Sequence, residues 1–471
     1  MTLQAENPLQ AFQWKPQPEA YAFIRSSADA FLSRCPFAAD LAERMQRQTG
    51  TRFHDWIDTL IFPAADSIRE TLESIGYEPE AEEVFFHPGG VFPRIALHDK
   101  PATIVMLKVE CVADFAAVWE IPSSAIEGEP LSPLRQLKVA AINDAELWVV
   151  ERHGYRGYAV PTADAKLVMK IEKVRELFRT RRRSFAPDAD EEGFAYTMGL
   201  ADGAVADVGA DIACDLFFAA EREYWQRRNR AAQVQKARQD RLGFGWANHD
   251  HHTYRCSREN FTKLIAIQEK LGLVARERFY AGREAGWGAQ VMEQPVTGIV
   301  TFNDVDLSPE ELYQDFAHEP LPPRDRLGTV GLWCALHGDS MLQAGMHHLE
   351  AQFDFEALRR QLEDEAAVKT MKPFTDFPHL RQAFTEGERW TVRPERIERL
   401  LNRGLITPEQ ADQFRANGAL GSHLENLERN DGFKGFNQTG VSEIIAATDP
   451  RRHSDPRGYA AAPGASPRVR R

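Results

Sequence analysis

Phe23, Phe31, Leu32, Leu41 and Met45 recur at helical spacing between residues 20 and 50, predicting a helical N-terminal segment over residues 1–50. The texture changes at residue 51. RFHDWIDTLIF (52–62) is rich in β-formers, and AADSIRETLESIG (64–76) sets Ile68, Leu72 and Ile75 on one helical face, with Gly76 placed to end the helix. EEVFFHPG, FPRIALHD and ATIVMLKVECV follow as strand-like stretches separated by Pro, Gly and Asp. The predicted order over 52–112 is β-α-β-β-β, inside a first module assigned to residues 51–160.

AKLVMKIEKVRELFRTRRR and CDLFFAAEREYWQRRNRAAQVQKARQD read as long helices, giving a helical insertion over 161–245. After GFGWAN the first texture returns. HDHHTYRC is strand-like, and SRENFTKLIAIQEKLG is a helix with Ser257 as N-cap and Gly272 as its stop. LVARERFYAG, WGAQVMEQP and GIVTFNDVDL are strand-like, SPEELYQDFAHE (308–319) reads as a short helix, and MHHLEAQFDF (346–355) is a further strand. The same order thus occurs twice, weak in letters but clear in sequence of elements, and defines a second module over 246–356. Residues 357–450 read as mainly helical, a C-terminal region closing the site, with ERIERLLNRGLITPEQADQF as two helices. The tail, 451–471, has the Arg-, Pro-, Gly- and Ala-rich composition of a disordered segment. The fold class expected is α+β, with tandem βαβββ modules and helical insertions.

Composition narrows the partners. The 471 residues are 43% hydrophobic and 27% charged, ordinary for a globular protein, and the net charge of −13 argues against a general nucleic-acid binder. The basic run Arg181-Arg182-Arg183 is soon followed by acidic residues and reads as a solvated helix end. Cys35, Cys111, Cys214, Cys256 and Cys334 show no paired spacing, which fits reduced thiols and a cytoplasmic setting. The opening residues lack the basic-then-apolar pattern of a secretion signal, and no apolar run is long enough for a membrane span.

The candidate chemistry sits in the histidines. Side chains alternate along a strand, so in HDHHTYR residues His249, His251, Thr253 and Arg255 share one face. In RFHDWID, His54 shares a face with Arg52, Trp56 and Asp58, and in MHHLEAQF, His348, Glu350 and Gln352 do the same. Two imidazoles and one carboxylate drawn from three strands make a facial triad, which leaves positions open on a ferrous ion. The assignment is His54, His251 and Glu350. Glu110 and Glu293 compete for the carboxylate, and His249 and His252 for the place of His251. His347 and His348 are candidates for outer positions, with Gln290 and Gln352 as hydrogen-bond supports of the ligands.

Tandem modules with ligands on opening and closing strands resemble the vicinal oxygen chelate superfamily, in which such modules close a cupped sheet around one metal. Within it, the chain resembles the 2-oxoadipate dioxygenase/decarboxylase (hydroxyglutarate synthase) family. DHHTYR (250–255) looks like that family's second-module strand, placing an iron ligand on His251. FHDWID (53–58) looks like its first-module strand, placing one on His54. GVSE (440–443) looks like its Val-Ser pair near the substrate, which falls on Val441 and Ser442; read from the residues alone, GVSEII is equally a helix start capped by Ser442. The family's late-strand Glu is carried to Glu350. One position departs: the family's substrate-binding Arg lies four residues after the first His, where this chain has Asp58. A carboxylate cannot replace a guanidinium that clamps a carboxylate, so either Arg255 or Arg52 takes over or the substrate differs.

The resemblance implies an Fe(II)-dependent dioxygenase/decarboxylase using O2 on a small 2-oxo acid such as 2-oxoadipate, giving a 2-hydroxy acid and CO2. Arg255 and Ser442 would act on the substrate, with Val441 as an apolar wall. The alternatives are another metal-dependent enzyme of this fold (a ring-cleaving dioxygenase, lyase or isomerase) and a non-catalytic small-molecule binder. HGDS (337–340) lacks the glycine-flanked elbow of a serine nucleophile.

Overall fold

A computed structural model describes residues 13–162, 164–186, 189–437 and 449–451. Val441 and Ser442 lie outside the described residues. Helices α1 (Pro18–Arg34) and α2 (Pro36–Arg44) each begin on a proline, whose missing N–H costs nothing in a first turn. A π turn (Met45–Thr49) ends at Gly50, with φ 64°, where a Cβ would stand 2.8 Å from the backbone nitrogen of Leu358. Only glycine fits that approach.

The stretch expected to open as a strand at residue 52 instead makes a 3-10 turn, Phe53–Trp56, before β1 (Ile57–Pro63) begins. The cause is local. Arg52 donates to both carboxylate oxygens of Asp55 at 2.7 and 2.9 Å, and the Asp55 amide bonds the Arg52 carbonyl at 3.1 Å. His54 therefore sits on a turn and not on a strand. Next come α3 (Asp66–Ser74), β2 (Glu78–Ala81), β3 (Val84–Phe86), β4 (Arg94–His98), β5 (Thr103–Lys108), α4 (Val112–Val118), β6 (Leu134–Ile142) and β7 (Ala145–Arg152). These strands form a sheet ordered β2-β3-β4-β1-β5-β7-β6, in which β1 and β4 are parallel. Its apolar core is shared with α1, α2 and α4.

Four helices separate this unit from the next: α5 (Ala165–Thr180), α6 (Asp190–Val208), α7 (Ala210–Gln226) and α8 (Arg230–Asp240). The side chains of Asp164 and Asn229 cap α5 and α8. The order β8 (His249–Arg255), α9 (Phe261–Lys270), β9 (Val274–Tyr280), β10 (Trp287–Glu293), β11 (Val300–Asp306) then repeats that of the first unit. The pairing repeats as well: β9-β10-β11-β8, with β8 parallel to β11, mirrors β2-β3-β4-β1. Each βαβββ unit belongs to its own hydrogen-bonded sheet. The short helix expected over 308–319 is only a 3-10 turn, Glu310–Tyr313.

The second sheet is enlarged by later strands. After α10 (Thr329–His337) come β12 (His348–Gln352), α11 (Phe355–Ala366), β13 (Thr375–Phe377), β14 (Leu380–Phe384), β15 (Glu388–Trp390), α12 (Pro394–Asn402), α13 (Pro408–Asn417) and β16 (Ala419–Arg429). The two helices read in ERIERLLNRGLITPEQADQF are α12 and α13. The rest of 357–430 departs from the mainly helical expectation, because β13, β14, β15 and β16 lie there. The sheet runs β13-β14-β16-β12-β8-β11-β10-β9, with β15 on β16. One face packs on the helical layer through Tyr254, Val305, Leu349 and Leu424. The other is bounded by Phe279, Phe302 and Trp333 of a separate core, against which Phe436 packs. Among the described residues no helix is long and apolar enough to cross a membrane.

Candidate metal centre

The second face of this sheet carries the chemistry. Alternation along β8 puts His251, Thr253 and Arg255 on it, while Tyr254 and His252 turn to Phe218 in the helical layer. Register carries the row sideways. His348 pairs with Thr253 of β8 and with His423 of β16, and Glu350 pairs with Glu425. All of these residues are buried.

Two groups of donor atoms arise, each with its atoms within 4.8 Å of one another: His251, His348 and Glu425, and Asp250, His251 and Glu350. His251 belongs to both and uses opposite ring nitrogens. Its Nδ1 lies 2.8 Å from Glu350 Oε1 and 3.6 Å from Asp250 Oδ1, and its Nε2 lies 4.0 Å from Glu425 Oε2. His348 Nε2 stands 2.9 Å from that same Glu425 oxygen and 2.7 Å from Thr253 Oγ1. Surrounding groups hold the carboxylates. Gln382 donates to Glu350 at 2.8 Å and to Glu425 at 3.2 Å, and Arg429 donates to both oxygens of Asp250 at 2.9 Å. Phe436 stacks edge-on against His251, with ring centroids 5.2 Å apart.

Burial works to lower the His251 pKa, but the carboxylates of Glu350 and Asp250 outweigh it and hold the ring at about 9. Burial, reinforced by Glu350, pushes the Glu425 carboxyl well up, and burial drives His348 well down. Arg429 keeps Asp250 ionised against its burial. The donor set suits a divalent cation. Two imidazoles, His251 and His348, and three carboxyl groups, Asp250, Glu350 and Glu425, converge.

No protein-family model matches the chain, and no curated protein matches it. Partial likenesses exist among solved structures. A putative glyoxalase superfamily protein from Ralstonia eutropha JMP134 aligns over 57% of this chain and 97% of its own, at 12% identity and TM-score 0.32. A 4-hydroxymandelate synthase variant from Streptomyces coelicolor aligns over 84% of this chain and 98% of its own, at 12% identity and TM-score 0.23. An uncharacterised Shigella flexneri protein containing a domain of unknown function aligns over 55% of this chain and 73% of its own, at 11% identity and TM-score 0.23.

The structure thus brings His251 and Glu350 together and leaves His54 out of both donor groups. His54 Nε2 contacts Tyr21 Oη at 3.2 Å and Asp55 at 3.4 Å, and burial pushes its pKa down to about 4. Arg52 has every guanidinium nitrogen engaged, by Asp55, by Asn430 at 2.7 Å and by the Arg429 carbonyl at 2.8 Å. Asp58 is locked by Arg152, which donates to its two oxygens at 3.0 and 2.9 Å. Arg255 differs. It is buried beside Asp304 at 3.6 Å, with Trp333 5.7 Å away, and its Nε and one terminal nitrogen have no hydrogen-bond partner among the described residues.

The competing residues are engaged elsewhere. Glu110 accepts from the Trp246 amide and pairs with Lys236, and Glu293 pairs with Arg276 and Lys434. His252 uses both ring nitrogens, on Arg222 and the Val300 carbonyl, and the His249 ring packs on it. His347 packs beside His348, within 2.9 Å between Nδ1 atoms. Gln352 does support the cluster, donating to Asp250 at 3.1 Å, whereas Gln290 bonds backbone carbonyls. Glu425 and His423 were not among the residues singled out from sequence. The available signal was the alternation His423-x-Glu425 in GSHLENLER.

Proposed function

We propose that the chain is a metal-dependent enzyme, an Fe(II) dioxygenase/decarboxylase acting with O2 on a small 2-oxo acid and giving a 2-hydroxy acid and CO2. The observation that carries this reading is the buried group of two imidazoles and one carboxylate, His251, His348 and Glu425, on adjacent strands. Such a set holds a ferrous ion while leaving positions for a bidentate acid and oxygen. Iron bound there would supply Lewis acidity and redox chemistry. In this reading Glu350 supports His251 from its other ring nitrogen, as outer carboxylates do for metal-bound imidazoles. Arg255, two positions along the same strand face and paired with Asp304 only at 3.6 Å, offers an unbonded guanidinium edge to a substrate carboxylate. Phe436, Phe302 and Trp333 wall the face and keep water from it. Val441 and Ser442 stay proposed substrate contacts by resemblance alone.

The test is metal analysis of anaerobically purified protein, followed by oxygen-electrode screening of 2-oxo acids. Stoichiometric iron with substrate-dependent oxygen uptake is expected. Iron-loaded protein that consumes no oxygen with any acid, yet converts one, would point to a lyase or isomerase.

A further inference from the structure

We infer that His423 is a specificity-determining residue, and that the acid bound at this site carries a hydroxyl or amino hydrogen-bond donor in addition to its carboxylate. The inference rests on the reading that the face binds a small 2-oxo acid.

It starts from unmet hydrogen-bonding capacity. His423 is 1% exposed, and its Nδ1 lies 3.0 Å from the Thr385 carbonyl. A carbonyl has no proton to give, so Nδ1 carries the hydrogen, and in the neutral ring Nε2 presents only a lone pair. That Nε2 has no partner among the described residues. Arg255, 2% exposed, has the opposite need: its Nε faces Asp304 at 3.6 Å, beyond a hydrogen bond, and one terminal nitrogen has no hydrogen-bond partner among the described residues, and both can only donate. Asp304 beside it keeps Oδ1 unpartnered. Buried polar atoms in native proteins are nearly always satisfied, so three such residues on one sheet call for a complementary ligand.

Register places them around one space. His423 pairs with His348, which pairs with Thr253, and Arg255 is the next residue of β8 on that face. Asp304 pairs with Arg255 on β11. Two strand spacings and one residue pair separate the backbones of Arg255 and His423 by roughly 12 Å, a gap that two side chains and one small acid fill. Of the proposed metal ligands, His348 lies in this row beside His423, and Glu425 lies one residue pair further along, on the level of His251. An acid with only carboxylates would satisfy Arg255 but leave His423 Nε2 facing an acceptor. A hydroxyl or amine on the chain of the acid satisfies both.

The experiment is calorimetric binding to the iron-loaded protein under argon. The probes are six-carbon 2-oxo acids with a hydroxyl at C4, C5 or C6, or with none. We expect at least one hydroxylated acid to bind about tenfold or more tighter than the plain acid, because a site built to bond a hydroxyl discriminates strongly against its absence. His423→Phe should collapse that ratio towards one while iron stoichiometry stays unchanged. Equal binding of all members by the unaltered protein overturns the inference, as does binding of none of them, or a preference that survives His423→Phe. The preference of the unaltered protein stands as a test even if the variant does not fold. Oxygen uptake with the same acids reports separately on the oxygenase reading: tight, hydroxyl-selective binding without uptake overturns that reading and leaves the His423 assignment intact.

Discussion

The imidazole of His251 stands between two carboxylates, with Nδ1 2.8 Å from Glu350 and Nε2 4.0 Å from Glu425. Which nitrogen meets the metal decides which carboxylate is a ligand. With His348 on the Glu425 side, Glu425→Gln is expected to strip iron from the purified protein. Glu350→Gln should retain it with affinity weakened by about 10–100-fold, the usual cost of losing an outer partner. Metal stoichiometry and chelator competition measure both. Loss of iron in Glu350→Gln, with retention in Glu425→Gln, would place the ion in the Asp250–His251–Glu350 group.

Asp58 sits where the resembling family has an arginine, and here it forms a part-buried pair with Arg152. Removing one partner leaves the other, part-buried charge without its hydrogen-bonded counter-ion. Asp58→Asn should therefore lower stability by roughly 1.5–3 kcal/mol in denaturant unfolding, with metal content unchanged. A drop in iron content with unchanged stability would instead tie Asp58 to the metal centre.

The part of the site on β8 was legible because strand alternation is a local rule: HDHHTYR alone sets His251 and Arg255 on one face. Two parts were hidden. The turn at His54 is made by the side chain of Asp55 bonding Arg52, a contact that strand-like composition conceals. Strand β16 falls in the region expected to be mainly helical, and its Leu420, Leu424 and Leu427 stand at helical spacing. That strand is buried on both faces, so its apolar residues do not alternate cleanly. The glycine that marks it, Gly421, admits the Trp390 ring where a Cβ would clash. With β16 unseen, Glu425 and His423 had no place in the site. The repeat of two βαβββ units was legible as an order of elements, while the later strands that widen the second sheet were not.

His153 stands between two carboxylates, 2.7 Å from Asp215 on α7 and 2.8 Å from Glu151 on β7. Burial works to lower its pKa, but these two carboxylates raise it to about 10. A raised pKa stabilises the folded state fully below the unfolded value, near 6.5, and that contribution is lost as pH climbs through 10. Thermal unfolding followed from pH 6 to 10 should show Tm falling, by an amount equivalent to a few kcal/mol over the window. In His153→Gln the decline should flatten. A decline of equal slope in the variant would assign it to other groups.

Arg255 supplies the last test, because its guanidinium is buried with one carboxylate, Asp304, 3.6 Å from Nε and one terminal nitrogen unbonded among the described residues. Burial pushes the Asp304 carboxyl up to about 7 and lowers the pKa of Arg255. Arg255→Lys keeps a cation near Asp304 but removes the planar fork that holds a carboxylate through paired bonds. Iron content should be retained and kcat/KM should fall about tenfold or more, since a charged hydrogen bond contributes ~1.5–3 kcal/mol. The split between the constants is informative: a rise in KM alone marks uniform binding, and an equal fall in kcat and kcat/KM marks an interaction made only in the transition state. Unchanged kinetics would remove Arg255 from the site. Loss of iron together with activity would show instead that the Arg255–Asp304 pair holds β8 against β11, and that the guanidinium serves the fold rather than a substrate.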